Sequence, residues 1–176
     1  MRVTLIAAQS LDGFITRHDE PGTAFTSAAD KAHFTSVLKS FDCSIVGGET
    51  YRVARDHIRQ RLGTQRRRLV MTRRPHDYAA DVVPDALEFT AEPPAALLSR
   101  LRAHGHRACA LLGGARLHHL FLTHGLVDAM WITIEPRLFG GGTPFLAGTA
   151  DAHLKLEAAE RLPASDSLLI RYSVIK

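Results

Sequence analysis

At 176 residues, with 45% apolar and 23% charged side chains, the chain has the size and composition of one globular domain that can bury a core without staples. A formal net charge of +4 suits an anionic ligand, while the longest apolar runs fall well short of the roughly 20 residues of a membrane span, so no membrane partner is expected. Met1-Arg2-Val3-Thr4 leads into a strand-like run rather than a signal peptide, and Cys43 and Cys109 sit inside apolar runs as reduced core residues, which together predict a cytoplasmic protein.

No internal repeat, low-complexity tract or linker divides residues 1–176, so a single domain is expected. Val3–Gln9 reads as a first strand whose unbroken apolar character suits a central, buried position. Ser10–Phe25 reads as a long loop with Gly13, Pro21 and Gly22. Ser27 then caps a helix, with Asp30 three residues on, where a capping-box partner would sit. Ile45–Gly47 is a second strand and Glu49–Arg59 a second helix. Arg68–Thr72 is a third strand, followed by a proline-containing loop and a short strand at Ala86–Phe89. Pro93–Ala103 is helical, with proline suited to its first turn. Arg107–Leu112 is a fifth strand, Ala115–Thr123 a helix ended by Gly125, and Val127–Ile134 a sixth strand. Beyond the Gly140-Gly141-Gly142 loop, His153–Glu157 and Ser167–Ile175 alternate as the strands of a hairpin. The fold class is therefore α/β, a mostly parallel sheet with an antiparallel C-terminal edge and flanking helices.

Two glycine pairs stand at strand-to-helix junctions: Val46-Gly47-Gly48-Glu49-Thr50 and Leu112-Gly113-Gly114-Ala115-Arg116-Leu117. A helix start reached through glycine leaves unpaired N–H groups beside a positive dipole end, with no Cβ to block an incoming anion. Two such junctions suit a ligand with more than one phosphate, a dinucleotide being the obvious candidate; the plain alternative is that each glycine only makes a turn. Neither pair matches G-x-G-x-x-G or the G-x-x-x-x-G-K-[ST] phosphate loop. Thr72-Arg73-Arg74, at the end of the third strand, could fork onto a phosphate monoester, which would favour NADP over NAD; otherwise the arginines are solvated loop residues. Arg59, Arg61, Arg66, Arg67, Arg68, Arg73 and Arg74 cluster without interleaved aromatics, so an anionic small molecule is a better partner than nucleic acid.

The ordered motifs Leu5-Ile6-Ala7-Ala8, Leu11-Asp12-Gly13, Ala29-Asp30-Lys31-Ala32-His33-Phe34, Val46-Gly47-Gly48-Glu49-Thr50-Tyr51, Val70-Met71-Thr72-Arg73 and Leu112-Gly113-Gly114-Ala115-Arg116-Leu117 resemble the dihydrofolate reductase-like superfamily. Ser10-Leu11-Asp12-Gly13, Gly125-Leu126-Val127-Asp128 and Ile134-Glu135-Pro136-Arg137-Leu138-Phe139-Gly140-Gly141-Gly142 make the chain most similar, essentially end to end, to the reductase domain of bacterial riboflavin biosynthesis. That resemblance implies an eight-stranded sheet, NADPH as cofactor, a homodimer, and hydride transfer to a nitrogen heterocycle or an imine-like carbon. It implies that Gly47, Gly48 and Thr50 line the cofactor. Gly113, Gly114, Ala115, Arg116 and Leu117 would wrap its pyrophosphate and nicotinamide side, through a cis Gly113–Gly114 bond. Thr72, Arg73 and Arg74 would hold the 2′-phosphate, and the Ala8 backbone would meet the nicotinamide amide.

On the substrate side Asp30 sits where folate reductases carry their substrate-binding acid and is also the candidate catalytic acid; Asp12, Phe34 and Lys39 are further substrate-binding candidates. A carboxylate can hold an amidine-like ring edge by two hydrogen bonds and assist protonation. Asp30 could equally serve only as a helix cap, and Asp12 only as a turn residue. Lys39 and the arginines at 52, 55, 59 and 61 are candidates for a substrate phosphate. The chain departs from the riboflavin reductases in carrying Arg55-Asp56-His57-Ile58 where they have D-D-P-x-L, and Leu111-Leu112 where an acid is common. It departs from folate reductases in placing its single tryptophan, Trp131, in the sixth strand. It lacks the H-x-E and P-C-x-x-C of a zinc deaminase. Neither His118-His119 nor His104 with His106 has metal-ligand spacing, so no metal is expected. Reduction of 5-amino-6-(5-phosphoribosylamino)uracil is the leading activity. Dihydrofolate reduction, an NADPH-binding protein with another substrate or none, and a basic nucleic-acid module follow.

Overall fold

Strands and helices alternate through the first three quarters of the chain, and the computed structural model, which describes residues 1–62 and 66–176, folds them into one eight-stranded sheet. In chain order these are β1 (Arg2–Ser10), α1 (Ala28–Val37), β2 (Cys43–Gly47), α2 (Gly48–Gln60), β3 (Arg67–Met71), β4 (Leu87–Thr90), α3 (Pro94–Ala103), β5 (Ala108–Leu111), α4 (Ala115–Thr123), β6 (Ala129–Glu135), β7 (His153–Arg161) and β8 (Leu168–Ile175). The strand order is β4-β3-β2-β5-β1-β6-β8-β7. The first six strands are mutually parallel, and β8 and β7 add antiparallel to the β6 edge.

Burial explains the arrangement. Leu5, Ile45, Leu69 and Leu111, from the adjacent strands β1, β2, β3 and β5, are inaccessible to solvent and pack with Leu97, Leu101 and Phe121 from the helices. A strand covered on both faces needs a near-continuous apolar run, which β1, β2, β3 and β5 supply. The β6 strand instead splits its residues. Met130 and Ile132 join the main core, whereas Trp131 packs with Phe41 and Ala110 on the other face.

The structure adds three features. The proline-containing loop after β3 carries a 3-10 segment, Pro75–Asp81, and a 3-10 turn at Leu38–Ser40 extends α1. The β7 strand runs on to Arg161, past the predicted end at Glu157, because a register shift between Leu156 and Ala158 interrupts the alternation on which that end rested. Ser27 caps α1, accepting from the Asp30 N–H at 3.1 Å, but the capping box is only half made: the Ser27 N–H donates to Glu135 Oε1 at 2.9 Å. The Asp30 carboxylate is thereby left for other work.

Candidate active site

The C-terminal ends of β1, β2, β3, β5 and β6, with the N-terminal turns of α1, α2 and α4, enclose a cleft of about 1580 Å³. This is where a parallel sheet exposes its helix starts. Its two halves are built differently.

One half is mostly backbone. Gly47 and Gly114 are the N-caps of α2 and α4, and neither helix has a side-chain cap, so their first N–H groups face the cleft. The Gly47 N–H donates to the Gly113 carbonyl at 2.8 Å, tying the two glycine corners together, and the Gly113–Gly114 bond is cis. Gly113 has φ +86°, and a Cβ there would lie 2.3 Å from His118 Nε2, so no other residue fits. A Cβ on Gly48 would come within 3.2 Å of Thr72 Cβ, and one on Gly114 within 3.3 Å of Thr50 Oγ1. The three sequence motifs therefore meet at one place. Arg73 and Arg116 line this half, and among the described residues neither makes an ion pair. Ala8, Ala115 and Leu117 line it as well. Arg74 is exposed and outside the lining, with its N–H bonded to Thr72 Oγ1.

The other half is made of side chains. Asp30 is 8% exposed and lines the cleft with His33, Phe34, Trp131 and Thr133. Burial raises its pKa above the usual carboxylate value and the nearby charge of Glu135 adds to this, while hydrogen bonds with Thr133 and Thr26 oppose it. Thr133 is the direct β6 partner of Ala8 on β1, so the Asp30 carboxyl sits beside the strand end expected to meet the nicotinamide. Glu135 is 2% exposed and accepts from Ser27 Oγ at 3.0 Å and Ser167 Oγ at 2.8 Å. Trp131 stands edge-on to Phe41, with the Arg171 guanidinium 5.4 Å from its ring centre. Burial, then Arg171, lowers the His33 pKa, favouring a neutral imidazole. Lys31 lines the same half, without an ion pair among the described residues.

Several sequence candidates are found elsewhere. Asp12 is outside the lining and accepts from Ser10 Oγ at 2.6 Å and from the Gly140 N–H at 2.7 Å; it holds the glycine-rich loop. Lys39 is exposed on the 3-10 turn beyond the C-terminal end of α1, at the opposite end of the sheet from the cleft. Arg55 and Arg59 converge on the buried Asp81, which also accepts from Tyr51 at 2.9 Å, and the Arg55 hydrogen bond holds the Asp81 pKa down to about 2. Arg52 pairs with Glu49. Arg66 donates to the Leu38 carbonyl, Arg67 to Glu88 and Arg68 to the Arg61 carbonyl, so most of the arginine cluster braces the fold. Among the described residues no group of His, Cys, Asp and Glu could hold a metal, and no helix is long and apolar enough to cross a membrane.

The sequence pattern did not single out His33, Thr133, Glu135 or Lys31 as site residues. Trp131, Thr133 and Glu135 do share one face of β6 at period two, a signal that a strand's polar alternation carries.

Residues 1–166 match the model of the RibD C-terminal domain. No curated protein matches the chain. Among solved structures, a pyrimidine reductase-like protein of Corynebacterium diphtheriae is similar over 99% of this chain and 92% of its own, with 17% identity and a TM-score of 0.80. A diaminohydroxyphosphoribosylaminopyrimidine deaminase/5-amino-6-(5-phosphoribosylamino)uracil reductase of Thermotoga maritima shares 17% identity and a TM-score of 0.79; the match covers 99% of this chain and 56% of that one. RibD of Acinetobacter baumannii gives 18% identity and a TM-score of 0.79, over 99% of this chain and 58% of its own.

Proposed function

The chain belongs to the RibD C-terminal domain family, and from that premise we propose that it is an NADPH-dependent reductase of a pyrimidine-type nitrogen heterocycle. The fold is dihydrofolate reductase-like. The observation that carries the proposal is the pairing, across one cleft, of two uncapped helix starts tied by Gly47 and Gly113 with the buried Asp30–Thr133 pair. The donor set fits a dinucleotide: the N–H groups at Gly48 and Ala115 suit a pyrophosphate, and Arg73 beside Thr72 suits a 2′-phosphate. Bound NADPH would supply the hydride.

The remaining work falls to this chain's own groups. Thr133 and Thr26 orient the Asp30 carboxyl, and burial keeps its proton available closer to neutrality than an exposed aspartate would. Phe34, His33 and Trp131 line this half with aromatic rings, which suit a planar ring, favour near-attack geometry and keep water away. Among the described residues Lys31 is the unpaired cation on this side and the candidate anchor for an anionic tail, in place of Lys39 and the arginines at 52, 55 and 59.

Within this class, 5-amino-6-(5-phosphoribosylamino)uracil is the leading substrate. Dihydrofolate is the second, favoured by the buried acid–threonine pair that suits an amidine edge. Following nicotinamide absorbance with each acceptor separates them. Turnover of the ribosylaminouracil phosphate supports the first reading, turnover of dihydrofolate alone replaces it with the second, and oxidation of NADPH with neither removes both.

A further inference from the structure

Buried at the foot of the cleft is a histidine that none of the chemistry above uses. His118, in the first turn of α4, is 1% exposed. Its Nδ1 lies 2.9 Å from the Phe145 carbonyl, which can only accept, so Nδ1 carries the proton and Nε2 a lone pair. Nε2 is buried without a hydrogen-bond partner and points at Gly113, at the place where any Cβ would fall. The ring also packs on Phe145, with centroids 4.9 Å apart. One imidazole therefore touches the glycine corner on one side and the loop after β6 on the other.

That loop is in turn bonded to the roof of the cleft. Phe145 N–H donates to the Gly13 carbonyl at 3.0 Å, Ile15 N–H to the Thr143 carbonyl at 2.8 Å, and Thr143 N–H to Thr16 Oγ1 at 2.8 Å. Phe14 and Pro144 form an antiparallel bridge. Ile15, Thr16, Gly142 and Thr143 all line the cleft, and Ile15 Cδ1 lies 3.9 Å from where a Gly114 Cβ would stand. The roof thus lies beside the glycine corner at Ile15 and is linked to it by the route Gly13–Phe145–His118–Gly113.

We propose that His118 is a positioning residue that couples the Gly113–Gly114 corner to the 13–16 roof, so that filling the corner orders the roof over the substrate. The proposal rests on the reading of that corner as the NADPH site. A neutral ring suits this role, because it donates once, to Phe145, and leaves its unprotonated nitrogen against a Cα–H, where a charged ring would bury a second N–H with no acceptor.

The test is backbone hydrogen–deuterium exchange on the full chain, wild type and His118→Phe, with and without NADPH, alongside NADPH binding by calorimetry. In wild type, NADPH should slow exchange at 113–118 and, together with it, at 13–16 and 143–146. In His118→Phe, ligand-free exchange should rise at 13–16 and 143–146 but not in β7 or β8. NADPH should then protect 113–118 alone, with affinity lowered about tenfold, a purely structural role having no reason to split the two regions. His118→Asn, whose Nδ2 amide stands where the imidazole Nδ1 does and can donate to the Phe145 carbonyl, should restore part of the joint protection. His118→Leu gives the same readings should the Phe ring fail to fit. Wild-type exchange and joint protection in the folded variants would overturn the proposal. Failure of wild type to take up NADPH would remove the cofactor reading and the coupling built on it, while the ligand-free comparison still decides whether His118 ties the roof.

Discussion

The two halves of the cleft, one proposed for the cofactor and the other for the substrate, are built by different means. The cofactor half is built from peptide groups: two uncapped helix starts, a glycine–glycine corner at positive φ, and a bond from the Gly47 N–H to the Gly113 carbonyl. The substrate half is built from side chains on α1 and β6, where Asp30 bonds Thr133, and Trp131 packs between Phe41 and Arg171, partners distant in sequence. Backbone recognition tolerates side-chain change but depends on geometry that glycine alone permits. Side-chain recognition can be retuned one residue at a time, which is how one fold comes to serve different acceptors.

That contrast breaks first at Gly113. Gly113→Ala puts a Cβ 2.3 Å from His118 Nε2 at φ +86°. The clash and the left-handed backbone together should cost roughly 3 kcal/mol of stability, read by thermal unfolding, and NADPH binding should fall by about 100-fold. Asp30→Asn tests the other half. It removes the proton donor and leaves the glycine corners intact, so kcat should drop by about 100-fold with the Kd for NADPH unchanged. A matching loss of NADPH affinity would mean that the halves are not separate.

His118, at the foot of the cleft, should respond to pH. Burial pushes the His118 pKa down to about 4, against 6.5 for the free side chain. The unfolded chain therefore binds the proton first as pH falls, and stability is lost between about pH 6.5 and 4. Going from pH 7 to 5 should cost about 2 kcal/mol, and His118→Phe should flatten that slope in chemical denaturation. Arg73→Ala should lower the preference for NADPH over NADH by about tenfold, leaving NADH affinity as it was. The smallest effect is expected at Lys31. Because the side chain is exposed, Lys31→Ala should raise KM for a phosphorylated acceptor only about threefold, without touching kcat.

The same division governed what could be read from the sequence. Strand order aside, the elements are legible because apolar runs and glycine corners are local signals; that Gly47, Gly48, Thr50, Thr72 and Gly113 meet is visible only in the structure. The substrate half was not. Lys39 is a candidate only because it is basic, yet the length of α1 carries it to the far end of the sheet, while Lys31, one residue from Asp30, reaches the cleft. The arginines of α2 looked available until Asp81, some 22 to 26 residues away, engaged Arg55 and Arg59. Glu135 was visible only as part of a motif. Its contact with the Ser27 N–H, which frees Asp30 from capping, spans 108 residues and depends on β6 lying beside α1.

The most direct measurement is a calorimetric titration of the purified chain with NADPH and with NADH, repeated on Arg73→Ala. Micromolar binding of NADPH with at least about tenfold preference over NADH, and loss of that preference in the variant, is the expected result. No binding of NADPH at high micromolar concentration, or a preference that Arg73→Ala leaves untouched, would contradict the assignment of the two glycine corners and Arg73 to the cofactor.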